Sequence, residues 1–338
     1  MSVLWVLVIM VLAASAFAIW VERVREQAAF RQQQVEAYRR STDMFARILY
    51  TYLTGPKTHE GVGWPGDKAE SAQKFSFDSL DDFMAGAAPT IITGSAGFMA
   101  MDGSVLDAGD GLRIMVQDLG GLIGLSFLSE PGILNAIAKI DGRGLTGERF
   151  KDTLADYQDA DDVREGLGAE AMDYHLQGLS PPLNGYLSSP LQLRSVLEWD
   201  WFLKNRDDSW ILRIFRTEGG GGINANSAHA DALALILDDP VKLQMLLAQR
   251  ATAPFSSFTQ LTKYIGDSEE VRLSVQPTAG FRFWWWHEGD TTARVYDVQF
   301  RPLESGTKAW YFNWTTRVNL PDDLATSTAK TIDHPFFR

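Results

Sequence analysis

The densest set of side chains capable of chemistry is Asp156-Tyr157-Gln158-Asp159-Ala160-Asp161-Asp162, followed by Gly168-Ala169-Glu170 and by Tyr174. Alternating carboxylates at Asp159 and Asp161, with the later Glu170, are the donors that a hard, oxygen-seeking cation such as Ca2+ takes. The order is not that of an EF-hand loop, whose glycine and closing glutamate stand elsewhere. Paired carboxylates also carry out general acid–base work, as in a hydrolase built on Asp159, Asp161 or Glu170. A third reading is purely structural, with acids at a helix start and in a solvated loop. All three stay open on the residues alone.

Other chemistry finds less support. The histidines (His59, His175, His229, His287 and His334) form no His-Glu-x-x-His pair and share no helical face. No Gly-x-Ser-x-Gly elbow occurs. The run Gly219–Gly222 lacks the Lys and Ser/Thr of a phosphate loop and reads as a connector. Cysteine is absent, which removes disulfides, thiolate metal sites and a cysteine nucleophile. Across 338 residues, 31 Lys and Arg face 43 Asp and Glu, a net charge of −12. Nucleic-acid binding needs a surplus of the opposite sign, so no nucleic-acid partner is expected. Capped helix pairs at Leu187–Leu197 and Phe255–Asp267 resemble helix–hairpin–helix modules, but they hold few basic residues.

The elements that must position these groups begin with a long helix. Residues 1–20 carry no ionisable side chain, and about 20 apolar residues at 1.5 Å each cross a bilayer core of ~30 Å. A cleaved signal peptide would have a basic start and a shorter apolar stretch. Helical spacing of apolar residues continues through Val21, Val24, Ala28, Val35, Tyr38, Phe45, Ile48, Leu49 and Tyr52. One helix of roughly 75–80 Å is therefore expected to about Leu53, ending before Gly55-Pro56. It reads either as a simple anchor or as a pilin-type stem. Five arginines between Arg23 and Arg40 follow the span and nothing basic precedes it, so the positive-inside rule alone would hold the rest of the chain in the cytoplasm. A basic leader ahead of Met1 would reverse that bias. Beyond residue 40 the chain carries 26 basic against 40 acidic side chains, so the head is the acidic part.

Residues 55–71 read as a Gly/Pro/charged linker. From Ile91 to Phe127 short apolar runs alternate with turns, and Asp102-Gly103 and Gly120-Gly121 look like hairpin signals. Helical periodicity holds from Ser129 to about Gly266, with stripes such as Ile133, Ile137 and Ile140. Ser189 with Gln192 and Ser257 with Gln260 have capping-box spacing. Strand chemistry returns at Val271–Val275, Phe281–His287, Arg294–Phe300 and Ala309–Val318, with turns at Glu288-Gly289-Asp290 and Ser305-Gly306. In the run Phe281-Arg282-Phe283-Trp284-Trp285-Trp286 one strand face suits a core; the other, with two tryptophans, must meet the stem or a partner. The expected fold is α+β: a long helix packed on an antiparallel sheet, interrupted by an inserted α-helical domain. The expected segments are 1–53 for the stem, 54–126 for the first part of the head, 127–267 for the helical insertion and 268–338 for the closing β part.

In this order the motifs resemble the K-type minor pseudopilin of bacterial type II secretion systems. The matching residues follow the apolar first helix. They are Asp118-Leu119-Gly120-Gly121, Asp156-Tyr157-Gln158-Asp159-Ala160-Asp161 with Gly168-Ala169-Glu170 and Tyr174, then Asn184, Ser188-Ser189 and Gln192-Leu193. Asn224-Ala225-Asn226-Ser227-Ala228, Arg250 and Pro254-Phe255 complete the set. Tyr157 stands where the family has Trp, Ser126 where it has Asn, and Ser227 where it has Thr. The resemblance implies a pilin-like head carrying two small SAM-like helical bundles. It implies a non-enzymatic subunit at the tip of a short pseudopilus, initiating or capping its assembly and supporting protein export. The implied partners are the I-, J- and H-type minor pseudopilins, the bacterial inner membrane and secreted proteins, with the head in the periplasm. Trp5 agrees with the family's lack of a glutamate at mature position five. Stem contacts are expected at Trp5, Leu12, Ala14, Val21 and Val24. Some relatives bind calcium in the head; Asp159, Asp161 and Glu170 are the candidates here.

Overall fold

The computed structural model describes residues 2–64, 74–76, 90–92, 97–125, 128, 131–217, 222–237, 239–265, 273–278, 280–300, 309–332 and 334–337. Residues 65–71 of the linker, Ser126, Gly219–Gly221, Val271 and the Ser305-Gly306 turn lie outside them. Two compact units divide the chain, residues 1–48 and 49–338.

Helix α1 spans Ser2–Thr54 without interruption. It is long and apolar enough to cross a membrane. In the first unit Trp5, Leu12, Ala14 and Val24 are exposed and Val21 is half-exposed. The last turn of α1 belongs to the second unit, and there Tyr52 is buried. Its ring stacks on Phe300 at 4.6 Å and tilts against Phe281 at 5.1 Å, and its hydroxyl donates to the Thr278 carbonyl.

The second unit is organised by a six-stranded sheet. Its strands are β1 (Asp102–Asp107), β2 (Leu112–Asp118), β3 (Gly280–His287), β4 (Thr292–Phe300), β5 (Trp310–Asn319) and β6 (Lys330–Thr331), ordered β5-β4-β3-β2-β1-β6. All neighbours run antiparallel except β6, which lies parallel to β1. The β1–β2 hairpin turns at Gly109-Asp110-Gly111, all three at positive φ. Asp102-Gly103 is not that turn. It sits inside β1 at a register shift, where Gly103 takes φ +77.

Between β2 and β3 the chain makes the helical insertion. Its helices are α2 (Pro131–Asp141), α3 (Gly147–Gln158), α4 (Ala171–Leu176), α5 (Trp199–Phe202), α6 (Asp208–Ile214), α7 (Ala230–Ile236), α8 (Pro240–Thr252) and α9 (Phe258–Ile265). A full capping box forms at Ser189 and half of one at Ser257, where Gln260 Oε1 accepts from the Ser256 amide at 3.0 Å and not from Ser257. Gln192 Oε1 accepts from the Ser189 amide at 3.2 Å, and the Ser257 hydroxyl accepts from the Gln260 amide at 3.3 Å. The two expected bundles share one apolar core, which runs from Ile123 to Val275 and includes Phe150, Trp199, Phe215 and Leu261. Ile140, the third member of its stripe, is exposed.

The insertion covers the sheet face that sequence reasoning gave to the stem or to a partner. Trp284 and Trp286 pack with Leu212 of α6, Val295, Val318 and Leu324. Arg282, fully buried on the same face, donates through Nε to Asp297 Oδ2 at 2.9 Å and through Nη1 to the Phe215 carbonyl at 3.0 Å. Asn313 donates to the other Asp297 oxygen at 2.7 Å. A buried guanidinium persists only when paired and hydrogen-bonded like this.

A second polar hub lies at the end of β2. The buried carboxylate of Asp118 accepts from the Gly120 amide (2.9 Å), the Thr278 amide and hydroxyl (both 3.0 Å), Asn224 Nδ2 (2.9 Å) and the Ser227 hydroxyl (3.0 Å). Asn226 then donates to the carbonyls of His59, Phe255 and Val275 and accepts from the Phe255 amide. Gly120-Gly121 serves this hub and no hairpin: a Cβ on Gly120 would lie 2.6 Å from Thr278 Cγ2, and one on Gly121 2.7 Å from the Ser227 backbone. Asp118→Ala should cost about 3 kcal/mol or more, since it leaves five donors facing an empty site. Chemical denaturation followed by tryptophan fluorescence checks this, and a midpoint within error of wild type would refute it.

Candidate cation site

Helix α3 begins at Thr146, whose hydroxyl accepts from the Arg149 amide at 3.3 Å. Asp152, Asp156 and Asp159 follow at spacings of four and three, on one face of the helix. The chain leaves α3 at Asp159 in an extended conformation and returns through residues 160–170 to begin α4. This return loop is held from within. The Leu167 amide donates to Asp152 Oδ2 at 2.8 Å and the Glu165 amide to Asp156 Oδ1 at 3.1 Å. Arg149 caps the Gly168 carbonyl at 2.9 Å while pairing with Glu198 at 2.9 Å. Asn184 Nδ2 ties in a second loop through the Asp161 carbonyl (3.3 Å) and Asp162 Oδ1 (3.2 Å).

Gly168 is required by proximity. A Cβ there would lie 2.0 Å from Asp156 Oδ2. Ala169 is fully buried, and Glu170 is turned inward at 8% exposure. The outcome is that carboxylate oxygens of Asp156, Asp159 and Glu170 lie within 4.8 Å of one another. Of the three residues singled out in the sequence, Asp159 and Glu170 are therefore together, and Asp161 is not with them. Its exposed carboxylate accepts from the Val163 amide at 2.9 Å and closes a local turn. Asp156 takes its place. The helical spacing from Asp152 to Asp159 was the signal that would have found it.

The electrostatics are unfavourable as they stand. Both Glu170 oxygens and Asp159 Oδ1 are buried without a hydrogen-bond partner among the described residues. Burial, then the charges of Asp156, Asp159, Asp162 and Asp161, push the Glu170 carboxyl up to about 7. Burial likewise raises Asp156, with Asp159 and Glu165 adding to it against the Glu165 and Ala169 amides. Three clustered oxygen donors, two with orphaned atoms, fit a hard divalent cation. None of the described histidines joins the group.

Folded Glu170 holds its proton more tightly than the usual carboxylate at 4.5. Without a cation, stability should fall as pH rises from about 4.5 to about 7, and stay low above that. Glu170→Gln should raise the cation-free Tm by roughly 2–5 °C near pH 8, leave it unchanged near pH 4, and erase stabilisation by about 1 mM calcium. Thermal scans with calcium and with chelator test this. Undiminished calcium stabilisation in the variant would rule the site out.

No family model and no curated protein matches the chain. Among solved structures, it is similar to a chain in the crystal structure of the GspK-GspI-GspJ complex from the enterotoxigenic Escherichia coli type 2 secretion system. The similarity is 15% in sequence, with a TM-score of 0.45, over 62% of this chain and 80% of that one.

Proposed function

We propose that this chain is a K-type minor pseudopilin: a membrane-anchored assembly subunit at the tip of a type II secretion pseudopilus, without enzymatic activity. The observation that carries the reading is what the resembling residues do. They are not scattered. Asp118, Asn224, Asn226, Ser227 and Phe255 form one buried hub, and Asp156, Asp159, Gly168 and Glu170 form the carboxylate site. Motifs that match in order and converge on two structural nodes are what a shared fold requires.

The mechanism is physical. An apolar helix such as residues 3–20 is stable only in lipid or against similar helices. None of residues 1–20 is acidic, so the span offers no carboxylate to neutralise the terminal amine of a further subunit. Minor pseudopilins of the I, J and H types are the partners in this reading, with the inner membrane as anchor, the head in the periplasm and secreted proteins as contacts. A calcium ion on Asp156, Asp159 and Glu170 would stabilise the insertion.

A carboxylate at the centre of a spanning helix costs about 2.5–3.5 kcal/mol. Leu12→Asp, and independently Ala14→Asp, should therefore abolish membrane retention and recovery with the other minor pseudopilins, while Leu12→Val should preserve both. Co-purification of full-length chains reads the outcome; unchanged recovery of the Asp variants would sink the proposal.

A further inference from the structure

Around the carboxylate loop the surface changes character. Val163 and Met172 are each 68% exposed, Leu176 77% and Tyr186 91%, with Leu183 also exposed. These residues lie on segments held side by side. Met172 and Leu176 are one turn apart on α4. Arg164, next to Val163, pairs with Asp173 of that helix. Asn184, between Leu183 and Tyr186, bonds to Asp161 and Asp162. Large apolar side chains exposed on a short helix and the loops tied to it mark an interaction site.

Charge selects the occupant. From Asp156 to Asp173 seven acidic side chains stand against one basic, Arg164. A second copy would bring the same negative rim against this one. An anionic lipid surface would be repelled in the same way. A polypeptide whose Lys or Arg side chains flank large apolar ones satisfies both features.

We propose that the apolar collar formed by Val163, Met172, Leu176, Leu183 and Tyr186, rimmed by carboxylates, is a docking site for a basic–apolar segment of a partner protein. The proposal stands apart from assembly through the stem, which co-purification tests, and from cation occupancy, which Glu170→Gln tests.

The probe is a short, labelled, amidated peptide of repeating Leu-Lys-Lys-Leu; its control has Ser for every Leu. The full chain is held in discs of zwitterionic lipid, with empty discs as blank, and binding is read by fluorescence anisotropy. Wild type should bind the Leu peptide about tenfold more tightly than the Ser peptide. Met172→Ser/Leu176→Ser should remove that margin and leave the Ser peptide's binding unchanged, and Tyr186→Ser on the neighbouring loop should reduce it. Asp161→Asn/Asp162→Asn should weaken both peptides, more so at low salt. Equal binding of the two peptides to wild type, or a margin that survives in Met172→Ser/Leu176→Ser, overturns the proposal. So does calcium-dependent binding to phosphatidylglycerol vesicles without binding to the Leu peptide, which would mark a lipid surface instead.

Discussion

The buried carboxylate of Asp118 is the constraint on which the architecture turns. It sits where β2 ends and the insertion begins; one of its hydrogen bonds comes from the adjacent Gly120 amide, and the other four come from groups that the insertion and the segment before β3 bring back to it. A charge removed from water is tolerated only when such donors are fixed in place. The same condition explains the two glycines beside it, since any side chain there would hold the donors away. Asn226 extends the arrangement to His59, Phe255 and Val275, so five separated stretches of chain are registered by two polar side chains.

The contrast with the Asp156, Asp159 and Glu170 group is instructive. Asp118 has donors for both oxygens, whereas Glu170 has none among the described residues. One carboxylate is built to be satisfied by protein alone. The other is held by a glycine, a buried alanine and an arginine-pinned loop in a position that protein groups leave unsatisfied. Such a group either keeps its proton or takes a cation.

Much of this was legible in the residues. The apolar period that runs into Tyr52 yields one helix, and the β-branched and aromatic runs at Phe281–His287 and Arg294–Phe300 yield the long strands, although β3 is buried on both faces. Capping boxes are local, so Ser189 and Ser257 could be read directly. What escaped was non-local. Nothing near Trp284 says that Leu212 will cover it. Gly120-Gly121 resembles a turn signal because the tight approach to Ser227 and Thr278 has no trace in adjacent positions. Asp161 was favoured over Asp156 because alternation along the chain was followed where the helical face mattered.

Strands β2 and β3 are immediate neighbours, although Phe281 pairs with Asp118 across the whole insertion. Long loop closures are slow, whereas the helical contacts within the insertion are local and fast to form. During synthesis the insertion can therefore assemble while β2 still lacks its partner, leaving an open sheet edge until the last third of the chain has emerged. The head is thus a timed structure. Its middle can mature early, but its sheet closes only at the end, and that interval is when the nascent protein is most exposed to mispairing.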